Sequence, residues 1–217
     1  MTRASYGKLT AAIIAVWFAI SLAASALQLF RTDPTRPPLP LLLAVVTPLV
    51  LFVLWYLSSA GFREFVLSLN PTTLTLVQAW RIAGFVFLVL YTYRLLPGAL
   101  ALPAGWGDIF IGATAVIVAT RLADPNHRNS FIVWQLLGMT DLFTAISMGA
   151  VARFLSPEIA RAEAISTAPM TVLPLSLIPT FAVPLYFILH IICLLQARQW
   201  SHDPSLHVGE PLPSVAR

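Results

Sequence analysis

The sequence predicts an all-α integral membrane protein: a six-helix transmembrane bundle with short loops and a proline-kinked last helix. Three observations predict it. The chain is 58% hydrophobic and only 10% charged, with a mean hydropathy of +0.82, whereas a soluble domain carries about a quarter charged residues. Apolar runs of spanning length recur six times, and the connections between them are too short to hold a folded soluble domain. Polar side chains this scarce cannot cover a globule in water, so lipid is the expected solvent for most of the chain.

The first run, 9–30, follows "MTRASYGK" and reaches the roughly 20 residues needed to cross the hydrocarbon core. Its start also reads as a secretory signal peptide, with Ala24 and Ala26 forming an A-x-A site, and cleavage there would leave five spans. Continuation through "LQLF" favours a retained span. So does the ridge Ala11, Ala15, Ala19 and Ala23, a small-residue face suited to helix packing or to a homodimer. The second run, 39–60, follows the breakers in "RTDPTRPPLP", and the third, 74–96, follows "GFREFVLSLNPTT".

The fourth run, 108–123, is short and is preceded by "LPGALALPAGWG". That stretch is expected as an interfacial turn, with Gly105 and Gly107 permitting the bend and Trp106 anchoring at the interface. Asp108 then caps the helix that follows, or stands as an entrance carboxylate. The fifth run, 131–152, follows "DPNHRNS", and the sixth, 172–197, follows "SPEIARAEAISTAPMT". The sixth carries Pro174, Pro179 and Pro184. Each proline lacks an N–H and obstructs the carbonyl four residues back, so the carbonyls of Met170, Leu175 and Thr180 are expected to be released from helical bonding. Non-helical backbone at membrane depth survives only where protein or a watery cavity satisfies it, and transporters build sites from such broken helices.

Net charge is +4, but the thirteen Lys and Arg are scattered over short loops. A nucleic-acid footprint gathers them on one face, so no nucleic-acid partner is expected. Cys193 is the one cysteine, which excludes an intramolecular disulfide and a Cys-rich metal site. G-x-S-x-G, H-E-x-x-H, P-loop and C-x-x-C patterns are absent from the sequence, and nothing in it asks for an enzyme. Six spans put both termini on one side. That side receives Arg3, Lys8, Arg63, Arg121, Arg128, Arg198 and Arg217, against Arg31, Arg36, Arg94, Arg153 and Arg161 opposite. The bias favours cytoplasmic termini in a cell membrane of the bacterial inner-membrane type.

Two charges fall firmly inside spans: Arg81 in the third and Asp141 in the fifth. Each costs about 2.5–3.5 kcal/mol at a helix centre on insertion scales, so mutual pairing is expected. Their depths differ by only about 5 Å at the helical rise, and a guanidinium offers a carboxylate paired hydrogen bonds. Gly138, Asp141, Ala145 and Gly149 share a small-residue face, as Gln78 and Arg81 share one on the third span. His190 lies at a similar depth in the sixth, where it suits a proton relay, or a haem or metal ligand. His127, His202 and His207 lie outside the spans, so no second intramembrane histidine completes a bis-histidine site. Gln135 stands about 240° around the helix from Asp141 and is expected to face elsewhere. A faint echo links "WRIAG" (80–84) with "WQLLG" (134–138).

Three functional expectations follow. The first is a transporter or proton- or ion-coupled permease of a small solute, with Arg81, Asp141, His190 and Gln78 as a buried polar centre. The second is a structural or accessory subunit whose Arg81–Asp141 pair fixes helix packing. The third is a redox (haem) or lipid-modifying protein using His190. Expected partners are the lipid bilayer, a small solute or protons, and a second copy or another membrane protein. The cofactor question stays open, and a cavity reaching the polar centre is the feature that separates the readings.

Overall fold

A computed structural model of the chain describes residues 2–31, 38–154 and 165–200. His202 and His207, and the Arg36, Arg161 and Arg217 used in the charge count, lie outside the described residues. All regular structure among the described residues is helical. Six helical stretches are long and apolar enough to cross a membrane: Arg3–Ala26, Leu39–Ser58, Pro71–Thr92, Gly98–Arg121, Pro125–Val151 and Ile178–Gln199. Ile20, Leu43, Leu57, Ile117 and Phe143 point outward and are exposed, the reverse of a water-facing surface.

Helix α1 (Arg3–Ala26) and helix α2 (Leu39–Ser58) are followed by a short helix not expected from the sequence, α3 (Ala60–Leu67), capped by the Ser59 hydroxyl on the Phe62 N–H. Arg63 on α3 donates back to the carbonyls of Tyr56 and Leu57 and so satisfies the end of α2. The third long stretch changes character along its length. It runs as α4 (Pro71–Val77), a 3-10 segment (Gln78–Gly84) and α5 (Phe85–Thr92). Three residues per 3-10 turn stack every third side chain on one line, and Gln78, Arg81 and Gly84 are the three buried residues of that segment. Trp80 and Ile82 beside them face out.

Two ends fall short of the expected bounds for the same reason. Gln28 and Arg94 both take a left-handed backbone, and the N–H groups of Leu29 and Leu95 reach back to the carbonyls of Ala24 and Leu90. That is the six-to-one closure that stops a helix. The first helix therefore ends at Ala26 rather than 30, and the third stretch at Thr92 rather than 96.

The fourth helix corrects the sequence reading most. α6 covers Gly98–Arg121 with Pro97 as its N-cap, so "GALALPAGWG" is helix and not an interfacial turn. Asp108 lies ten residues after Gly98 and caps nothing. Trp106 points outward from mid-helix instead of marking a helix entrance. α7 (Arg128–Phe154) follows a turn in which the Asp124 carboxylate accepts from the Asn126 and His127 N–H groups. The last stretch opens at Ile178, not 172, with a π-turn (Ile178–Ala182) leading into α8 (Val183–Gln199).

The prolines act as the sequence suggests at two of three positions. The Leu175 carbonyl, four before Pro179, accepts from the Ile178 N–H. The Thr180 carbonyl, four before Pro184, accepts from Trp17 Nε1 at 3.2 Å and Ser21 Oγ at 3.4 Å on α1. Pro174 precedes the helix. The buried face of α1 is the one carrying Trp17, Ser21 and Ser25, whereas Ala11, Ala15, Ala19 and Ala23 are exposed. Among the described residues the alanine ridge thus takes no part in packing. Removing both donors with Trp17→Phe and Ser21→Ala should lower stability by about 1–3 kcal/mol, the cost of stranding a buried carbonyl. Thermal unfolding in detergent micelles reads this, and an unchanged midpoint would mean that the carbonyl finds another donor.

Apolar side chains gather at both ends of α6. Ile111, Ala115 and Val118 join Phe131, Trp134, Cys193 and Ala197 at one end, while Leu100, Ala101 and Ala104 join Phe87, Leu96 and Met170 at the other. Asp108 falls between these two clusters, at the level where the bundle is polar.

Candidate functional site

Arg81 organises that level. Its side chain is wholly buried and uses four of the five N–H donors a guanidinium carries. Nε donates to Asp108 Oδ1 at 2.7 Å, Nη2 donates to Asp141 Oδ2, and Nη1 lies 3.3 Å from both the Gly138 carbonyl and His190 Nε2. The Tyr186 ring lies against its open face, 5.8 Å from the guanidinium carbon to the ring centroid, within cation–π reach. One cation from the third stretch therefore ties together α6, α7 and α8. The expected Arg81–Asp141 pair is present, and Asp108 joins it as a second carboxylate.

A chain of hydrogen bonds continues from Arg81 into the bundle. A guanidinium only donates, so His190 Nε2 accepts and its proton sits on Nδ1, which donates to Gln135 Oε1. Gln135 Nε2 donates to Thr75 Oγ1 at 3.4 Å, and the Thr75 hydroxyl lies 3.9 Å from Cys193 Sγ. Gln135, His190 and Thr75 are each fully buried. Tautomer and amide orientation follow from the requirement that each donor meet an acceptor. Both ring nitrogens of His190 are thus engaged, and a role as axial ligand or external base draws no support from this arrangement. Gln78 sits on the Arg81 line and donates Nε2 to the Tyr186 carbonyl at 3.4 Å, and its buried Oε1 has no hydrogen-bond partner among the described residues.

Glycines make the close approaches possible. A Cβ on Gly107 would run into the Asp141 carboxylate, one on Gly84 into Asp108, and one on Gly138 into the His190 ring. A Cβ on Gly112 would meet the Arg81 and Ile82 backbone itself. Gly84 and Gly138 are the glycines of the two echoed pentapeptides. Each seats a polar side chain from a neighbouring helix, whatever the origin of the likeness.

The carboxylates are not sealed in. Their side chains keep 18% (Asp108) and 15% (Asp141) of their surface, and each bonds Arg81 through one oxygen. The other oxygen of each, Asp108 Oδ2 and Asp141 Oδ1, has no hydrogen bond among the described residues. Asp108 lines a cavity of about 150 Å³ whose other walls are mostly apolar, among them Val45, Leu100, Ala145, Gly149 and Pro179, with Thr167 and Thr171 also lining it. The π-turn contributes Ile178 and Pro179 to that wall. Arg81 and His190 stay packed behind the carboxylates.

All these residues fall within one recognisable unit. A family model for a domain of unknown function, DUF8737, matches residues 37–198. The chain belongs to this family. The DUF8737 unit contains every member of the polar centre and begins after α1, so the Trp17 and Ser21 donors to Thr180 come from outside it. No curated protein and no solved structure matches the chain.

Sequence reasoning missed Asp108 as a partner and set Gln135 aside. For Asp108 the signal lies along α6: Ala101, Ala104, Gly105, Asp108, Gly112, Ala115 and Ala119 recur at three- and four-residue steps. That is a small-residue face pointing into a bundle, and the aspartate lies on it. For Gln135, its angle from Asp141 says nothing about its partners, because a buried amide can serve any helix that packs on its own face.

Proposed function

We propose that this protein is an integral membrane permease of a small solute, coupled to a proton or small cation at Asp108 and Asp141. One observation carries the reading: a single buried guanidinium faces two carboxylates, one negative charge too many for a low-dielectric site. A proton or a cation supplies the missing charge. Because one of the carboxylates opens into a cavity, that charge can exchange. The groups facing the site are Arg81 from the 3-10 segment, Asp108 from α6, Asp141 from α7, and Tyr186 and His190 from α8. The apolar exterior and six spanning-length helices support insertion in the cell membrane.

The test is proton flux into proteoliposomes holding a pH-sensitive dye. Wild-type protein should collapse an imposed pH gradient faster than empty vesicles. Asp141→Asn, which keeps an acceptor for Arg81 Nη2 and removes the excess charge, should slow that flux about tenfold or more while the protein still elutes as a single folded species.

A second reading has its own support. Arg81 is fully buried with four donors engaged and glycines packed against its partners, as a centre that only fixes helix register requires. Under that reading wild-type flux equals that of empty vesicles, and an Arg81/Asp141 charge swap restores assembly lost in either single variant.

A further inference from the structure

We infer that the cavity beside Asp108 is a binding site for a small lipophilic monocation, an apolar body of about benzene size bearing one ammonium group. This names the substrate class of the permease reading and rests on it for transport, though not for binding. Size comes from the cavity, about 150 Å³ and walled mostly by apolar side chains, with Thr167 and Thr171 among them, and apolar cavities of that size hold benzene-sized molecules. Charge comes from its polar end. Among the described residues Asp108 is the one charged side chain that lines the cavity, and its Oδ2 carries no hydrogen bond. The carboxylate pair behind it exceeds Arg81 by one negative charge. An ammonium at Oδ2 supplies a donor and the missing positive charge together.

A neutral ligand leaves the excess charge uncompensated, and an anion adds to it. A fully hydrated inorganic cation gains nothing from the apolar walls. A lipophilic ammonium satisfies both parts of the site. The proton and the ammonium serve the same excess charge, so they compete. Of the groups that face it (Arg81, Asp141, Tyr186 and His190, with Asp108 itself), Arg81 is held between both carboxylates and is not displaced.

The experiment measures binding of benzylamine to the purified full-length protein in detergent by equilibrium dialysis, with benzyl alcohol as its neutral twin. Benzylamine should bind saturably, at least about tenfold tighter than the alcohol. Affinity should fall as the medium is taken from about pH 8 to 5, where an aliphatic ammonium stays charged throughout. Asp108→Asn should remove the preference for the amine. Gly149→Leu, which fills the cavity from a position whose Cβ has ordinary room (3.7 Å from Leu100), should abolish binding of both compounds. Equal binding of amine and alcohol, or no saturable binding by folded wild-type protein, overturns the inference whether or not the variants fold. Proteoliposome flux separates the two proposals. Proton flux without amine binding overturns the ligand class alone, whereas amine binding without flux leaves the site standing and removes the permease.

Discussion

Arg81→Gln is expected to destabilise the protein by about 3–5 kcal/mol, the range for breaking a buried ion pair from one side. Among the described residues Arg81 is the one positive charge bound to these carboxylates, and its loss leaves Asp108 and Asp141 facing each other in the bundle without it. It also strips His190 Nε2 and the Gly138 carbonyl of their shared donor. An amide can replace one of these bonds, not four. The measurement is the thermal unfolding midpoint and the monodisperse fraction after purification in detergent, where the variant should melt far below wild type or fail to assemble. Arg81→Lys should fall between, because an ammonium is a point charge and cannot span both carboxylates in the guanidinium's fork. The triple variant Arg81→Gln, Asp108→Asn, Asp141→Asn should recover much of the loss, since it removes the stranded charges as well. A single Arg81→Gln that melts with wild type would show that the three charges are not energetically joined.

That prediction rests on a pairing half of which was legible in the sequence. Arg81 and Asp141 stood out because every other charge lay in a loop or near the end of a run, and similar depth on two helices was enough to match them. Asp108 was hidden by the very residues that make its position possible. Gly98, Pro103, Gly105 and Gly107 read as breakers under the rules for water-soluble chains. In α6, Gly105 and Gly107 instead let neighbours approach closely: a Cβ on Gly105 would come within 2.7 Å of the Leu88 side chain, and one on Gly107 would run into Asp141. The alanine ridge on α1 is exposed, and another face of the helix packs among the described residues, for a related reason. Small residues mark a face that can pack, but α1 had a stronger demand, the Thr180 carbonyl freed by Pro184, and only the face bearing Trp17 and Ser21 supplies donors. The switch to 3-10 geometry at Gln78 leaves no mark in residue type. Its consequence, a single buried line of Gln78, Arg81 and Gly84, nevertheless agrees with the face shared by Gln78 and Arg81 that helical spacing suggests.

Gly112→Ala should be the most damaging of the small changes, and it isolates how the polar centre is held. In an unconstrained helix this substitution stabilises by about 1 kcal/mol. Here the added methyl would collide with the backbone of Arg81 and Ile82, which cannot swing aside as a side-chain tip can. α6 must back away from the 3-10 segment, and overpacking of this kind costs about 1–3 kcal/mol. Movement along that line draws Asp108 from Arg81 Nε, so coupling should suffer with stability: both the melting midpoint and the flux of reconstituted protein should fall. Gly149→Ala provides the control, because among the described residues its Cβ would meet only Leu100, at 3.7 Å, and the change should leave the midpoint equal to or above wild type. If both variants melt alike, close backbone contact at Gly112 does not set the position of Arg81. If Gly112→Ala melts low while flux is retained, the glycine holds the helices together without holding the charges in register.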